Sequence, residues 1–488
     1  MAPLENYPMS RRDVLRGAAS GMIAMALGLD LKAVSTPGKP PNIVFILADD
    51  LGYADVGCYG RPDLRTPSID RLADQGVRFL QAYANSAVCS ATRVALITGR
   101  YQYRVRLGLE EPLAGNPAVG LDPMHPTLPS LLKKVGYSST LVGKWHLGTL
   151  PKFGPLQSGY DHFYGFRGGA LDYYSHLGDG MKKDLWDDDV PLEQAGYLTE
   201  LLGNRAVEVV NGYGKTRQPF LMSLHFNAPH WPWEAPGDIA ESERLSRLGF
   251  PGMFHYDGGT QKTYHRMIES MDLQIGRVMQ ALADNGLAEN TIVIFTSDNG
   301  GERFSDTWPF SGKKTELLEG GLRIPAIISW PARIPRGRTS DQVAITMDWL
   351  PTLLAAAGTS PDPSYPTDGM DLLPFLAEGT APRARTLYWR YKANAQRAIR
   401  DGDLKFLKIL ENTFLFNVTD DPLERANLKD RRKEDYRRLV RQWYEWNATM
   451  LPEIQESNTG GFDGKNLADH YGAKKSDGKP SVPAPPED

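Results

Sequence analysis

The run Asn42-Ile43-Val44-Phe45-Ile46-Leu47-Ala48 has no polar residue after its first position and closes on Asp49-Asp50. A strand with one face in water alternates apolar and polar side chains. A strand apolar on both faces has to be covered on both, which is the condition inside a parallel sheet. Similar runs recur at Ser139–Val142, Phe220–Phe226, Thr291–Ser297 and Ala326–Trp330. Between them lie stretches with helical spacing. Pro67–Gln75 has proline early and Ile69, Leu72 and Ala73 on one face; Leu128–Val135, Tyr197–Val210, Tyr264–Leu287 and Met347–Ala357 follow. This alternation predicts an α/β fold: a large mixed, mostly parallel sheet sandwiched by helices. Ligands of such sheets sit beyond the carboxyl ends of the strands, so the residues that end each apolar run carry the functional information.

From about Thr380 the texture changes. Leu387–Arg390, Arg397–Arg400, Leu404–Leu407 and Phe414–Asn417 are short strand-like pieces separated by turns such as Asp401-Gly402-Asp403, and a helix rich in Arg and Tyr runs to about Trp446. The expected organisation is a main α/β domain over 41–378, a small antiparallel sheet with one helix over 379–450, and a loose polar tail over 451–488. Residues 1–35 read as an export signal. Ser10-Arg11-Arg12-Asp13-Val14-Leu15-Arg16 looks like a twin-arginine motif, an apolar run from Gly17 to Leu31 follows, and Ala33-Val34-Ser35 offers a cleavage site. The mature chain is therefore expected in the periplasm or outside the cell, with no stable membrane insertion, because the apolar run is short and broken by glycines.

The 488 residues carry a net charge of −4 and no dense basic stripe, so nucleic acid is not an expected partner. The only cysteines are Cys58 and Cys89. Two are too few for a zinc ribbon and would staple so long a chain poorly, so each is judged alone.

Two acidic clusters stand at strand ends: Asp49-Asp50, and Asp298-Asn299 within Thr296-Ser297-Asp298-Asn299-Gly300-Gly301. Carboxylates that converge repel unless a cation neutralises them, and oxygen ligands without thiol or imidazole neighbours suit calcium or magnesium. Taken alone, each pair is also what ordinary turns contain. Cys89 sits in Ala87-Val88-Cys89-Ser90-Ala91-Thr92-Arg93, among small residues, with an apolar helical stretch from near Thr92. A residue at a helix start meets free N–H groups that favour an anion, and Arg93 adds a fixed charge. The same cysteine also reads as a small buried hydrophobe or as a thiolate nucleophile.

Cys89-Ser90-Ala91-Thr92-Arg93 resembles the sulfatase signature C-x-P-x-R or C-x-A-x-R, which directs oxidation of the cysteine to formylglycine. Gly136-Tyr137-Ser138-Ser139-Thr140-Leu141-Val142-Gly143-Lys144-Trp145-His146 resembles the second sulfatase signature. Asn42–Asp50, Asp298-Asn299-Gly300-Gly301, and Lys314 with Glu319-Gly320-Gly321 match in the family's order, so the resemblance spans roughly 41 to 430. It implies an alkaline-phosphatase-like fold and a sulfuric ester hydrolase. Asp49, Asp50, Asp298 and Asn299 would hold one Ca2+, with an oxygen of modified residue 89 completing the site. Hydrated formylglycine would attack sulfur, steadied by Arg93, while Lys144 and a second lysine hold the sulfate oxygens. His230, in Asn227-Ala228-Pro229-His230, would protonate the leaving oxygen, and His146 would take the proton that lets sulfate depart. In the family the second lysine stands five residues before the Glu of EGG; Glu319 less five is 314, so Lys314 is favoured and Lys313 kept in reserve.

Ala91 stands where the commonest signature has proline, which bears on the maturation enzyme that must recognise this chain. The implied substrate is an aryl or oligosaccharide sulfate ester. Gly165–His176 is similar to a segment of N-acetylgalactosamine-4-sulfatases and related arylsulfatases; its Tyr and His side chains either meet a sugar or pack on their neighbours. His225, Trp231, Trp233, Arg303 and Trp308 are candidates for the same mouth. Two alternatives remain on this sequence: a phosphonate or phosphate monoester hydrolase with the same nucleophile, and a non-catalytic binder of sulfated glycans with Cys89 unmodified.

Overall fold

The computed structural model describes residues 39–461. The twin-arginine segment and the last part of the expected tail, 462–488, lie outside the described residues. Asn42–Ala48 lies at the centre of a ten-stranded sheet. In spatial order the strands are Arg338–Ser340, Val77–Phe79, Ala326–Ser329, Thr291–Ser297, Asn42–Ala48, Phe220–His225, Ser138–Lys144, His162–Phe166, Trp186–Asp187 and Val190–Pro191. The five strands from Thr291–Ser297 to His162–Phe166 are parallel. Ala326–Ser329 is as apolar as they are but runs antiparallel beside Thr291–Ser297.

Side-chain alternation divides the central strand between two cores. Val44 and Ile46 join one with Tyr264, Met267 and Met271, and Ile43, Phe45 and Leu47 join the other with Leu350, Leu353 and Leu354. The first is closed by the helices Leu198–Thr216 and Gln261–Asp284, the second by Leu128–Lys133 and Trp349–Ala356. Both faces are dry, as the unbroken apolar runs require.

The C-terminal region is an antiparallel sheet of Thr386–Tyr391, Gln396–Asp401, Leu404–Ile409 and Asn412–Asn417, covered by the helix Lys433–Asn447. It shares a third core with the main domain: Trp389, Tyr391 and Trp443 pack with Val88, Ala91 and Ala95. The Trp389 indole donates to Ala84 O at 2.9 Å.

Two expectations need correction. The helix holding Cys89 begins at that residue, not near Thr92: it spans Cys89–Thr98 and every residue in it is buried. The first part of the expected loose tail is tied down. Glu111 N donates to Asn458 O and Asn458 N donates to Glu110 Oε2, while the Tyr391 hydroxyl donates to Gly460 O. Those backbone bonds hold a segment whose composition gives no packing signal. Both cysteines are free. Among the described residues no helix is long and apolar enough to cross a membrane.

Candidate active site

Four neighbouring parallel strands deliver their carboxyl ends to one place. Asp49 and Asp50 follow Asn42–Ala48, Asp298 and Asn299 follow Thr291–Ser297, Asn227 and His230 follow Phe220–His225, and Lys144 ends its strand just before His146. Asp50 and His146 have φ of 64° and 57°, and Thr315, next to Lys314, has 72°. Non-glycine residues in the left-handed region cost of order 1–3 kcal/mol each and persist where the surroundings over-determine them.

Cys89 opens its helix against this edge and is 2% exposed. Arg93, one turn on, lies on the same helix face. Its Nε donates to Asp298 Oδ2 at 3.0 Å, Nη2 stands 2.9 Å from the same oxygen and 3.8 Å from Asp49 Oδ2, and Nη1 donates to Lys144 O at 3.2 Å. Lys144 Nζ reaches Asp49 Oδ2 at 2.5 Å, and Lys314 Nζ reaches Asp50 Oδ2 at 2.7 Å. Lys314, the favoured lysine of the pair, has its ammonium on the acidic cluster. Asn299 Nδ2 donates to Asp50 Oδ1 at 2.8 Å.

Three carboxylates thus meet three cationic side chains. Burial, then Asp49, pushes Asp298 up to about 6 against the pull of Arg93, Lys144 and Lys314. Burial also raises Asp50, but Lys314 and His230 more than offset it and hold it below its ordinary value. Burial pushes the Cys89 thiol up, against Lys144 and Lys314, so the unmodified group is a thiol near neutral pH and a poor nucleophile.

The donor set fits a hard divalent cation. Ligand atoms of Asp49, Cys89 and Asp298 lie within 4.8 Å of one another, as do those of Asp49, Asp50 and His230. Asp49 Oδ1 and Asn299 Oδ1 are buried without a hydrogen-bond partner. A buried oxygen left unpaired costs free energy, and a cation coordinated by both would remove that cost.

Both histidines have readable tautomers, because each gives one nitrogen to a carbonyl, which only accepts. His146 Nε2 donates to Leu113 O at 2.9 Å and leaves Nδ1 buried without a partner. His230 Nδ1 donates to Trp231 O at 2.7 Å and leaves Nε2 3.6 Å from Asp50 Oδ2. Burial, then Lys144 for His146 and Lys314 for His230, pushes both rings well below their ordinary values.

The loop carrying Lys314 is clamped from several sides. Lys314 N donates to Gly301 O at 2.9 Å and Thr315 N to Ala87 O at 2.8 Å. Gln396, fully buried in the C-terminal sheet, accepts from Leu317 N at 2.8 Å and donates to Thr315 O at 2.8 Å. Glu424 Oε2 accepts from Glu319 N at 2.6 Å, and Lys405 Nζ bridges Glu319 and Glu424 at 3.0 and 2.9 Å. Sequence reasoning missed Gln396, Lys405 and Glu424; only coordinates bring them to the loop.

Cys89, His146, His230 and Lys314 line one cavity of about 770 Å3, with Glu302 and Asn458–Gly461 also in its wall. Of the mouth candidates, Trp231 and Arg303 line it. Trp233 is buried beneath Arg303, His225 lies below Arg93, and Trp308 is 65% exposed outside the wall. Tyr173, expected near substrate or in packing, is in the core; its hydroxyl donates to the carbonyls of Asn227 and His230 and so braces the His230 turn. Phe250, Phe254 and Tyr256 also line the cavity and belong to no motif the sequence reveals.

Two family models match the chain: Sulfatase over residues 41–359, and N-sulphoglucosamine sulphohydrolase, C-terminal, over 310–448. N-acetylgalactosamine-6-sulfatase of Sus scrofa is 32% identical over 413 residues, covering 79% of this chain and 74% of that protein. Arylsulfatase A of Homo sapiens is 32% identical over 427 residues, covering 82% and 80%. The crystal structure of Ps i-CgsB in complex with k-i-k-neocarrahexaose superposes with a TM-score of 0.76 at 29% identity, covering 88% of this chain and 97% of that one. The first family model takes in the acidic strand ends, Cys89, both lysines and both histidines, and more than half of the chain; this protein belongs to the sulfatase family and is a sulfuric ester hydrolase.

Proposed function

We propose that the chain hydrolyses sulfate monoesters of aryl or carbohydrate alcohols at the cavity around residue 89, with Cys89 oxidised to formylglycine and one Ca2+ held by Asp49, Asp50, Asp298, Asn299 and residue 89. The observation that supports this is the clustering of Asp49 and Asp298 with Cys89 and of Asp50 with Asp49, Asn299 being bonded to Asp50, with Asp49 Oδ1 and Asn299 Oδ1 buried and unpartnered. When present, the hydrated aldehyde supplies the nucleophile and the cation the Lewis acid.

The other side chains serve binding and proton transfer. Arg93 fixes Asp298 and stands over residue 89 from the same helix face. Lys144 and Lys314, paired with Asp49 and Asp50, hold the sulfate oxygens as charge builds on them. His230, anchored through Nδ1 to Trp231 O, turns Nε2 toward the site, 3.6 Å from Asp50 Oδ2. Because Nδ1 holds the one hydrogen of the neutral ring, the leaving oxygen is protonated from Nε2 only by the imidazolium, after the ring has taken up a proton beside Asp50, and the ring is left neutral. His146, with Nε2–H on Leu113 O, presents a bare Nδ1 and serves as the proton acceptor when sulfate is expelled.

A formylglycine-generating enzyme that accepts Ala91 in the motif matures the chain, and the twin-arginine segment exports it to the periplasm or beyond. Sulfate release from 4-nitrophenyl sulfate, compared with turnover of a matched aryl phosphonate, tests the reaction class. Preference for the sulfate supports the proposal, and strong preference for the phosphonate overturns it.

A further inference from the structure

His230 and Trp231 begin a file of aromatic rings, and beyond His230 the reaction chemistry has no use for them. Their centroids are 4.2 Å apart, and Trp231 meets Phe254 at 4.9 Å. Phe254 meets Phe250 edge-on at 5.3 Å and stacks on Tyr256 at 5.5 Å with 10° between the planes. The file starts within the cavity that holds Cys89 and ends at the surface, where Phe250 is 41% and Tyr256 46% exposed.

Folding does not account for these rings. Phe250, Phe254 and Tyr256 belong to none of the three cores, although Met253 between them is buried. The preceding helix, Ile239–Leu248, buries only Ser242 and Leu245. Large apolar rings left partly in water along a cavity mark a surface that meets a ligand. Arg303 braces the outer end: Nη1 donates to His255 O at 2.8 Å, and the guanidinium lies over Trp233 at 4.3 Å and Tyr256 at 5.4 Å.

The file also has a direction relative to the reaction. His230 serves the leaving oxygen, so the ring bearing that oxygen lies beside Trp231. Whatever extends from that ring runs past Phe254 and Tyr256. A series of flat rings suits the C–H faces of successive pyranoses, whose hydroxyls project sideways into water, whereas an aryl or monosaccharide ester fills only the first position. Resting on the sulfatase reading of the site, we infer that Trp231, Phe254 and Tyr256 form an extended glycan subsite on the leaving-group side and that the substrate is a sulfated oligosaccharide.

The test measures sulfate release by the mature enzyme from 4-nitrophenyl sulfate, N-acetylgalactosamine 6-sulfate, and size-sorted sulfated galactan and chondroitin oligosaccharides. The wild-type kcat/KM rises with chain length from monosaccharide to tetrasaccharide. Phe254→Ala and Tyr256→Ala each lower kcat/KM on the tetrasaccharide by about tenfold, through KM, the size expected of a lost ring contact, and change 4-nitrophenyl sulfate turnover less than about twofold. A kcat/KM independent of length, or equal losses on both substrates, overturns the inference. Turnover of 4-nitrophenyl sulfate with every sugar left intact overturns it too and leaves the sulfatase reading standing. Release from no probe overturns both.

Discussion

Gln396 donates to the carbonyl oxygen of Thr315 at 2.8 Å, one residue beyond Lys314. The same amide accepts from Leu317 N, so a side chain of the C-terminal sheet takes the place of a neighbouring strand for the lysine loop. Replacing Gln396 by Leu leaves a buried N–H and a buried C=O unpaired, at about 1–3 kcal/mol each. The expected outcome is a folded enzyme whose kcat falls by about tenfold or more as Lys314 loses its fixed position, with partial rescue in Gln396→Asn. Circular dichroism with steady-state kinetics checks it; an unchanged kcat in a folded Gln396→Leu enzyme counts against the clamp.

His230 is expected to matter according to the leaving group. His230→Ala lowers kcat on a sugar sulfate by about 10²–10⁴-fold, the range of general acid catalysis, and far less on 4-nitrophenyl sulfate, whose phenoxide leaves without a proton. Kinetics on the two substrates read this directly, and equal losses would remove the proton-donor role.

Removing divalent cations is expected to lower both Tm and sulfate release, with Ca2+ restoring both better than Mg2+. A ligand at 100 times its Kd stabilises by about 2.7 kcal/mol, so thermal unfolding in EDTA and in graded Ca2+ shows the effect without reference to activity. Asn299→Ala should shift that titration to higher Ca2+. A Tm indifferent to both treatments contradicts a cation bound at the acidic strand ends.

Glu111 carries a pH dependence of stability. Burial, then Glu453, pushes its carboxyl from 4.5 up to about 8, against the Lys392 backbone N–H, Lys392 and Arg390. The folded protein therefore binds a proton that the unfolded chain has lost, so this contribution is full below 4.5 and disappears as pH rises through about 8. The Tm of the wild type relative to Glu111→Gln should therefore fall between about pH 5 and pH 9, as thermal melts of both proteins across the range will show, and a constant difference would remove this role of Glu111.

The parts of this molecule legible in the sequence were those a buried environment writes continuously. Asn42–Ala48 and Thr291–Ser297 are apolar on both faces because both faces are covered, and Asp49-Asp50 and Asp298-Asn299, which follow them, fall at the candidate active site. The start of the Cys89 helix was less legible, since no side chain caps Val88 and Cys-Ser-Ala is not a strong helix-forming opening. Strands such as Trp186–Asp187, two residues long, leave no periodicity to read. The Gln396 clamp joins residues 79 and 81 apart in the chain, and the rings of the Trp231–Phe254–Tyr256 file stand outside helices and strands with no periodicity, so that in a single sequence each residue looks like any other buried amide or loop aromatic. Tyr173 shows the converse: an aromatic-rich segment that suggests sugar contact holds the His230 turn from below.

The chemical state of residue 89 tests the central claim most directly. Mass spectrometry of the peptide containing Cys89, from protein matured in its native host, should show the mass expected when CH2SH is replaced by CHO, in proportion to the sulfate-releasing activity of the sample. An unmodified thiol in fully active protein would contradict the mechanism.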